Sequence, residues 1–88
     1  MKMIIKEAEM RKDQEGALLG KTVFELEGHK KGYEITFFSK KGKEWDYSLH
    51  FHAESGDEEE FLLADAYLEQ NDDAFDMLLD AALDTLSE

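Results

Sequence analysis

Two groups of side chains in this sequence have residue types and spacing suited to chemistry. The first is His50 and His52, which stand two residues apart, so that in a β-strand both imidazoles face the same side and could reach one metal ion. Asp46 and Ser48 share that side, and Glu34 on a neighbouring strand could approach it. A usable site needs three or four ligands, and two histidines are common on the wetter side of a sheet. The pair could therefore form a metal site only together with one or two further ligands.

The second group is a row of aspartates that recur every four residues, here called the acidic stripe: Asp72, Asp76, Asp80 and Asp84. Residues four apart lie on one side of a helix, so the row follows a helix surface. Like charges at this spacing repel by a few tenths of a kcal/mol per pair, and no Lys or Arg occurs from residue 54 to residue 88. The stripe therefore lowers helix stability. Either other charges in the fold compensate for its repulsion, or the stripe has a function.

Three interpretations of the acidic stripe are open. Charge runs are usually solvated surfaces, so the stripe could serve solubility, with lysines elsewhere in the fold softening its repulsion. It could instead bind a basic protein partner, including by mimicry of nucleic acid phosphates. In the third interpretation it meets the lysine-bearing end of a second copy and gives a homo-oligomer. We favour a small, acidic, cytoplasmic interaction or regulatory module that presents the stripe to a basic partner.

Composition excludes several classes of function. The net charge of −12 disfavours direct binding to nucleic acids and to anionic membranes. The chain has no cysteine, no G-x-S-x-G elbow, no glycine-rich phosphate loop and no EF-hand loop, so we expect no enzymatic activity and no cofactor. No segment has the length or apolar content of a signal peptide or a membrane span, which favours a cytoplasmic location. The imbalance of charge lies in residues 54–88, which carry thirteen acidic groups, while residues 1–53 carry ten basic and nine acidic groups.

Alternation of apolar and polar residues predicts three strands, in residues 21–28, 33–38 and 45–52. Short polar loops that contain glycine join them, which is typical of antiparallel hairpins. Residues 1–12 are expected to form a further strand, although Glu7, Ala8 and Glu9 are also compatible with helix. Gly20 predicts either a bulge or a close approach of a neighbouring group.

The periodicity changes after Phe51. Ser55 and Glu58 match a capping box, which predicts a helix from about Gly56 to Glu69. Asn71 or Asp72 is expected to cap a second helix, and one long kinked helix is the alternative. The first helix is apolar over most of its surface, so it must be covered on several sides or must leave apolar surface for another subunit.

These elements predict an α+β fold, with an antiparallel meander sheet (ββββ) followed by two C-terminal helices packed on one sheet face, in a single domain of residues 1–88. The expected core comprises Phe24, Leu26, Tyr33, Ile35, Phe37, Trp45, Tyr47, Leu49, Phe51, Phe61, Leu62, Leu68, Phe75, Leu78, Leu79, Ala82 and Leu86. The alternative function is a small ligand- or metal-binding domain that uses the sheet face around His50 and His52.

Overall fold

An antiparallel sheet of four strands forms the first part of the chain, and two helices pack on one of its faces. The computed structural model describes residues 2–86. The strands are β1 (Met3–Lys12), β2 (Leu18–Leu26), β3 (Tyr33–Ser39) and β4 (Asp46–Phe51), in the spatial order β1-β2-β3-β4. The helices are α1 (Glu58–Gln70) and α2 (Asp72–Leu83), and a 3-10 turn follows at Asp84–Leu86. The predicted α+β fold, with a meander sheet and two C-terminal helices on one face, is confirmed.

The first segment is a strand throughout. It pairs with β2 from Met3 opposite Leu26 to Lys12 opposite Leu18, even though its middle contains poor strand formers. The register shifts between Ile5 and Glu7, so the bulge lies in β1. Pairing with a neighbouring strand has overridden the local preference for helix.

Neighbouring atoms approach the backbone of Gly20 too closely for a side chain at this position. A Cβ atom on Gly20 would lie 2.6 Å from the backbone oxygen of Glu9 and 2.6 Å from the sulfur of Met10. Met10 is the register partner of Gly20 and is itself buried. The methionine side chain therefore fills the space that a larger residue at position 20 would need.

The start of α1 differs from the sequence prediction. Asp57 is its N-cap, and a side-chain oxygen of Asp57 accepts a hydrogen bond from the backbone N–H of Glu59 at 2.8 Å. The predicted capping box of Ser55 and Glu58 is therefore wrong, since the helix begins at Glu58 itself. An ionised carboxylate caps a helix as well as a hydroxyl does, and it also interacts favourably with the positive end of the helix dipole.

Asn71 separates the two helices, so the alternative of one kinked helix is wrong. Its backbone angles are φ −133° and ψ 86°, which lie outside the helical region. The carbonyl oxygen of Asn71 accepts hydrogen bonds from the N–H groups of Ala74 and Phe75, whereas its side chain makes no capping bond.

Neither helix in residues 2–86 is long and apolar enough to cross a membrane.

The core lies between the sheet and the helices. The hydroxyl of Thr22 donates a hydrogen bond to the carbonyl oxygen of Leu78 at 2.8 Å and joins β2 to α2. The ring of Phe37 meets that of Phe75 edge to face, with 5.6 Å between centroids. Nine residues of the expected core are buried: Phe24, Leu26, Tyr33, Ile35, Phe37, Leu68, Leu78, Leu79 and Ala82.

Part of the core prediction is wrong. Leu62, on α1, is 60% exposed, and Leu86, in the 3-10 turn, is also exposed. Tyr47 is exposed on β4, which is an edge strand of the sheet. Trp45, Leu49, Phe51, Phe61 and Phe75 are partly buried against the core. The buried apolar residues that the sequence reasoning missed are Met10, Ala17, Val23, Ala64 and Ala74, and the buried polar residues are Thr22 and Ser39.

Tyr33 is the largest fully buried side chain of the core. Its ring stacks on Phe51 with 5.5 Å between centroids, and its hydroxyl is hydrogen-bonded to Nδ1 of His29 at 2.7 Å. Burial, followed by the negative charges of Glu60 and Asp57, raises the pKa of Tyr33 to about 12. The phenol is thus held neutral.

The close approach at Gly20 predicts that Gly20→Ala lowers the free energy of unfolding by about 1–3 kcal/mol, since the new methyl group must displace backbone or the Met10 side chain. Urea denaturation measures this change. Gly32→Ala is the matched control, because a Cβ atom there would lie 3.5 Å from its nearest neighbour, which is ordinary contact. Equal destabilisation by both substitutions would contradict the assignment.

The buried phenol predicts a loss of stability in alkali. The folded pKa of Tyr33, about 12, lies above the ordinary value of 10.0, so deprotonation favours the unfolded chain. The contribution of Tyr33 is present in full below pH 10 and is lost as the pH rises toward 12. The urea midpoint should fall more steeply over this interval in the parent protein than in Tyr33→Phe. Identical declines in the two proteins would show that other groups cause the loss.

Candidate acidic interface on the second helix

The packing of α2 determines which of its sides faces solvent. Ala74, Leu78, Leu79 and Ala82 are buried, and the helix lies mainly over β1 and β2. The acidic stripe follows the other side of the helix, and all four of its aspartates are exposed. The structure therefore brings the predicted partner-binding residues, Asp72, Asp76, Asp80 and Asp84, together on one exposed surface.

Among residues 2–86, direct ion pairs do not neutralise the stripe. Across residues 2–86, the ion pairs within 4.0 Å join Lys6 to Glu25, Lys31 to Glu54, and His52 to Glu34. The lysines of the hairpin loops make no such contact with α2 in that part of the chain. The solubility interpretation expected lysines elsewhere in the fold to soften the repulsion within the stripe. In the described part of the chain, no salt bridge does so.

The two ends of the stripe differ in their relation to the helix dipole. Asp72 lies in the first turn of α2, where the positive end of the dipole favours an anion. Asp80 lies in the last turn and Asp84 is the C-cap, where anions are unfavourable, and this turn contains no basic residue. The C-terminal half of the stripe is therefore the part that local helix physics does not explain.

Large apolar side chains are exposed on the same helical layer. Leu62 and Leu63 of α1 are 60% and 59% exposed, and Met77 of α2 is 55% exposed. Of the two expectations for α1, the structure favours leftover apolar surface over complete cover. Sequence reasoning did not identify Met77, although its spacing of three residues from Asp80, which places the two on neighbouring positions of the helix surface, was a usable signal.

The histidine pair lies on the sheet face that the helices leave uncovered. Nδ1 of His52 is 3.3 Å from a carboxylate oxygen of Glu34, and His50 is the register partner of Glu34. His29, which the sequence also offered as a possible further ligand, is instead hydrogen-bonded to the hydroxyl of Tyr33. No group of three or more His, Asp or Glu within residues 2–86 has the arrangement to hold a metal ion. The metal site at His50 and His52 remains a prediction.

Comparison with known proteins supplies no relative. No protein-family model, curated protein or solved structure matches the chain. The interpretation of the surface of α2 consequently depends on its geometry and charge.

The acidic stripe predicts that Asp80→Lys stabilises the fold. The change replaces repulsion from Asp76 and Asp84 by attraction and places a cation in the last turn of α2, which together should raise the free energy of unfolding by about 1 kcal/mol. Urea denaturation at low ionic strength measures the gain. In about 1 M salt, where charges are screened within roughly 3 Å, the gain should shrink. A loss of stability in Asp80→Lys would show that this carboxylate has a favourable role in the fold.

Proposed function

We propose that this chain is a non-enzymatic interaction module that presents the acidic stripe of α2 to a basic surface on another protein. One observation carries the proposal: four aspartates stand exposed on one helix side, and no salt bridge to them forms within residues 2–86. The repulsion among these aspartates lowers helix stability, and no salt bridge among the described residues relieves it. A partner that supplies positive charge would relieve it and would explain why the aspartates are there.

The spacing of the stripe suits an extended basic surface. Successive aspartates are about 6 Å apart along the helix axis, because each residue advances the helix by about 1.5 Å. Such a regular row of negative charge resembles the charge pattern that proteins meet on a nucleic acid backbone. A protein that binds phosphates through Lys and Arg side chains is therefore the favoured class of partner. Arginine fits best, since its guanidinium can bind a carboxylate through two hydrogen bonds.

Charge alone would give a weak complex, so the neighbouring apolar residue matters. Exposed ion pairs contribute roughly 0–1 kcal/mol each, while buried apolar and aromatic contacts dominate most interfaces. Met77 is exposed three residues before Asp80, so the two side chains are neighbours on the helix surface, and its flexible thioether adapts to irregular surfaces. In this proposal the aspartates steer and orient the partner, and Met77 supplies apolar contact.

The test compares two variants that remove equal charge from different places. Asp76→Asn with Asp80→Asn removes two charges from the stripe, whereas Glu58→Gln with Glu59→Gln removes two from the first turn of α1. Each variant and the parent protein are immobilised and exposed to cell lysate at about 50 mM and at about 500 mM salt. We expect the parent and the α1 variant to recover a partner at low salt only, and the stripe variant to recover roughly tenfold less.

Two results would contradict the proposal. The first is the absence of any partner that low salt retains and high salt releases. The second is an equal loss of recovery in the stripe variant and the α1 variant, which would mean that net charge and not the stripe determines the binding. A recovered partner is then purified, and its affinity for the parent protein and for Met77→Ala is measured by calorimetry.

A further inference from the structure

The sheet has a second face, which no helix covers. Thr22 bonds to α2 and Phe37 contacts Phe75, so their neighbours in the strands point to the opposite side. We call this side the open face. Its residues include Arg11 of β1, Leu19 and Lys21 of β2, Phe38 of β3, and Asp46 and Ser48 of β4.

One row of register partners crosses the open face from edge to edge. Arg11 lies opposite Leu19, Leu19 opposite Phe38, and Phe38 opposite Asp46. The row therefore has a cation at the β1 edge, two apolar side chains in the middle and an anion at the β4 edge. It lines a shallow depression of about 400 Å³ that extends over all four strands.

Apolar surface is exposed in the middle of this row. Leu19 is 47% exposed, and Phe38 is only half-buried. The charges of the open face also differ from those of α2, because acidic and basic side chains are interleaved: Glu9 lies opposite Lys21, and Lys6 pairs with Glu25 at 3.9 Å. Glu7 and Glu34 also lie on this side of the sheet, so the face is not neutral, but two copies repel each other less here than across α2, which contains no cation.

We propose that the open face binds the open face of a second copy, related by a two-fold axis that runs parallel to the strands between the two sheets. This operation reverses the order of the strands, so that β1 of one copy lies over β4 of the other. Arg11 then faces the partner's Asp46, and Leu19 faces the partner's Phe38. Each contact occurs twice, as an isologous interface requires.

The self-complementary row is the reason to choose a second copy as the occupant. Under the two-fold operation the cation at one edge meets the anion at the other edge, and the two apolar side chains meet each other, so one row supplies both halves of the contact. Two stacked sheets lie about 10 Å apart with their mean strand directions within roughly 30° of each other, which is compatible with an axis along the strands and allows the side chains of both central pairs to meet. The contact uses neither the acidic stripe nor the lysine-bearing loops.

The size of the face sets the strength of the dimer. Four strands at about 4.8 Å and about seven residues at about 3.3 Å give a footprint of roughly 400 Å² per copy. Stable interfaces bury about 1,200–2,000 Å² in total, so this dimer belongs to the weak class and forms as the protein concentration rises.

Analytical ultracentrifugation over a concentration series to about 1 mM tests the proposal. The parent protein should dimerise. Arg11→Asp places two anions together at each end of the row and Asp46→Arg places two cations together, so each variant should dimerise about tenfold more weakly. The double variant, Arg11→Asp with Asp46→Arg, restores both pairs and should recover the parent dissociation constant. An equimolar mixture of the two single variants should form a heterodimer for the same reason.

Asp76→Asn is the control on the helical layer and should leave dimerisation unchanged. Circular dichroism of every variant checks that the fold is intact. A parent protein that stays monomeric at the highest concentration overturns the proposal. It is equally overturned by a dimer that the single reversals do not weaken, or by a double variant that remains as weak as the single variants.

Discussion

Burial of the apolar side of the sheet beneath α1 and α2 is the interaction on which the rest of the structure depends. Tyr33, Phe24 and Ile35 are fully buried there, and the hydroxyl of Thr22 joins β2 to the backbone of α2. Only one face of the sheet is covered, so the fold leaves two broad surfaces exposed. One is the outer side of the helices, and the other is the open face of the sheet.

These two surfaces differ in electrostatic character, although they belong to one small chain. The outer side of α2 carries aspartates without any interleaved cation, whereas the open face carries both cations and anions. A uniform row of one sign favours a partner of the other sign, and a balanced row with opposite ends favours its own copy. The two surfaces lie on opposite sides of the sheet.

The sequence predicted element types better than their details, for identifiable reasons. Strict alternation in residues 45–52 specified a strand and its two faces, since side chains alternate from one side of a strand to the other. The N-cap of α1 was misplaced because Ser55 and Asp57 are both good capping residues, and the choice between them depends on how the chain leaves β4. Leu62 was assigned to the core because hydrophobicity cannot indicate which side of an all-round apolar helix meets the sheet.

The sequence by itself determined the order of the elements, the side of each strand and helix that is apolar, and the clustering of the four aspartates on one helix side. These are local properties that follow from the periods of strand and helix. Only the tertiary structure decided that the aspartates remain unpaired in the described chain, and that Arg11, Leu19, Phe38 and Asp46 form one row. Both depend on register and on which elements become neighbours, and contacts between residues so distant in the chain leave no periodic signal in the sequence.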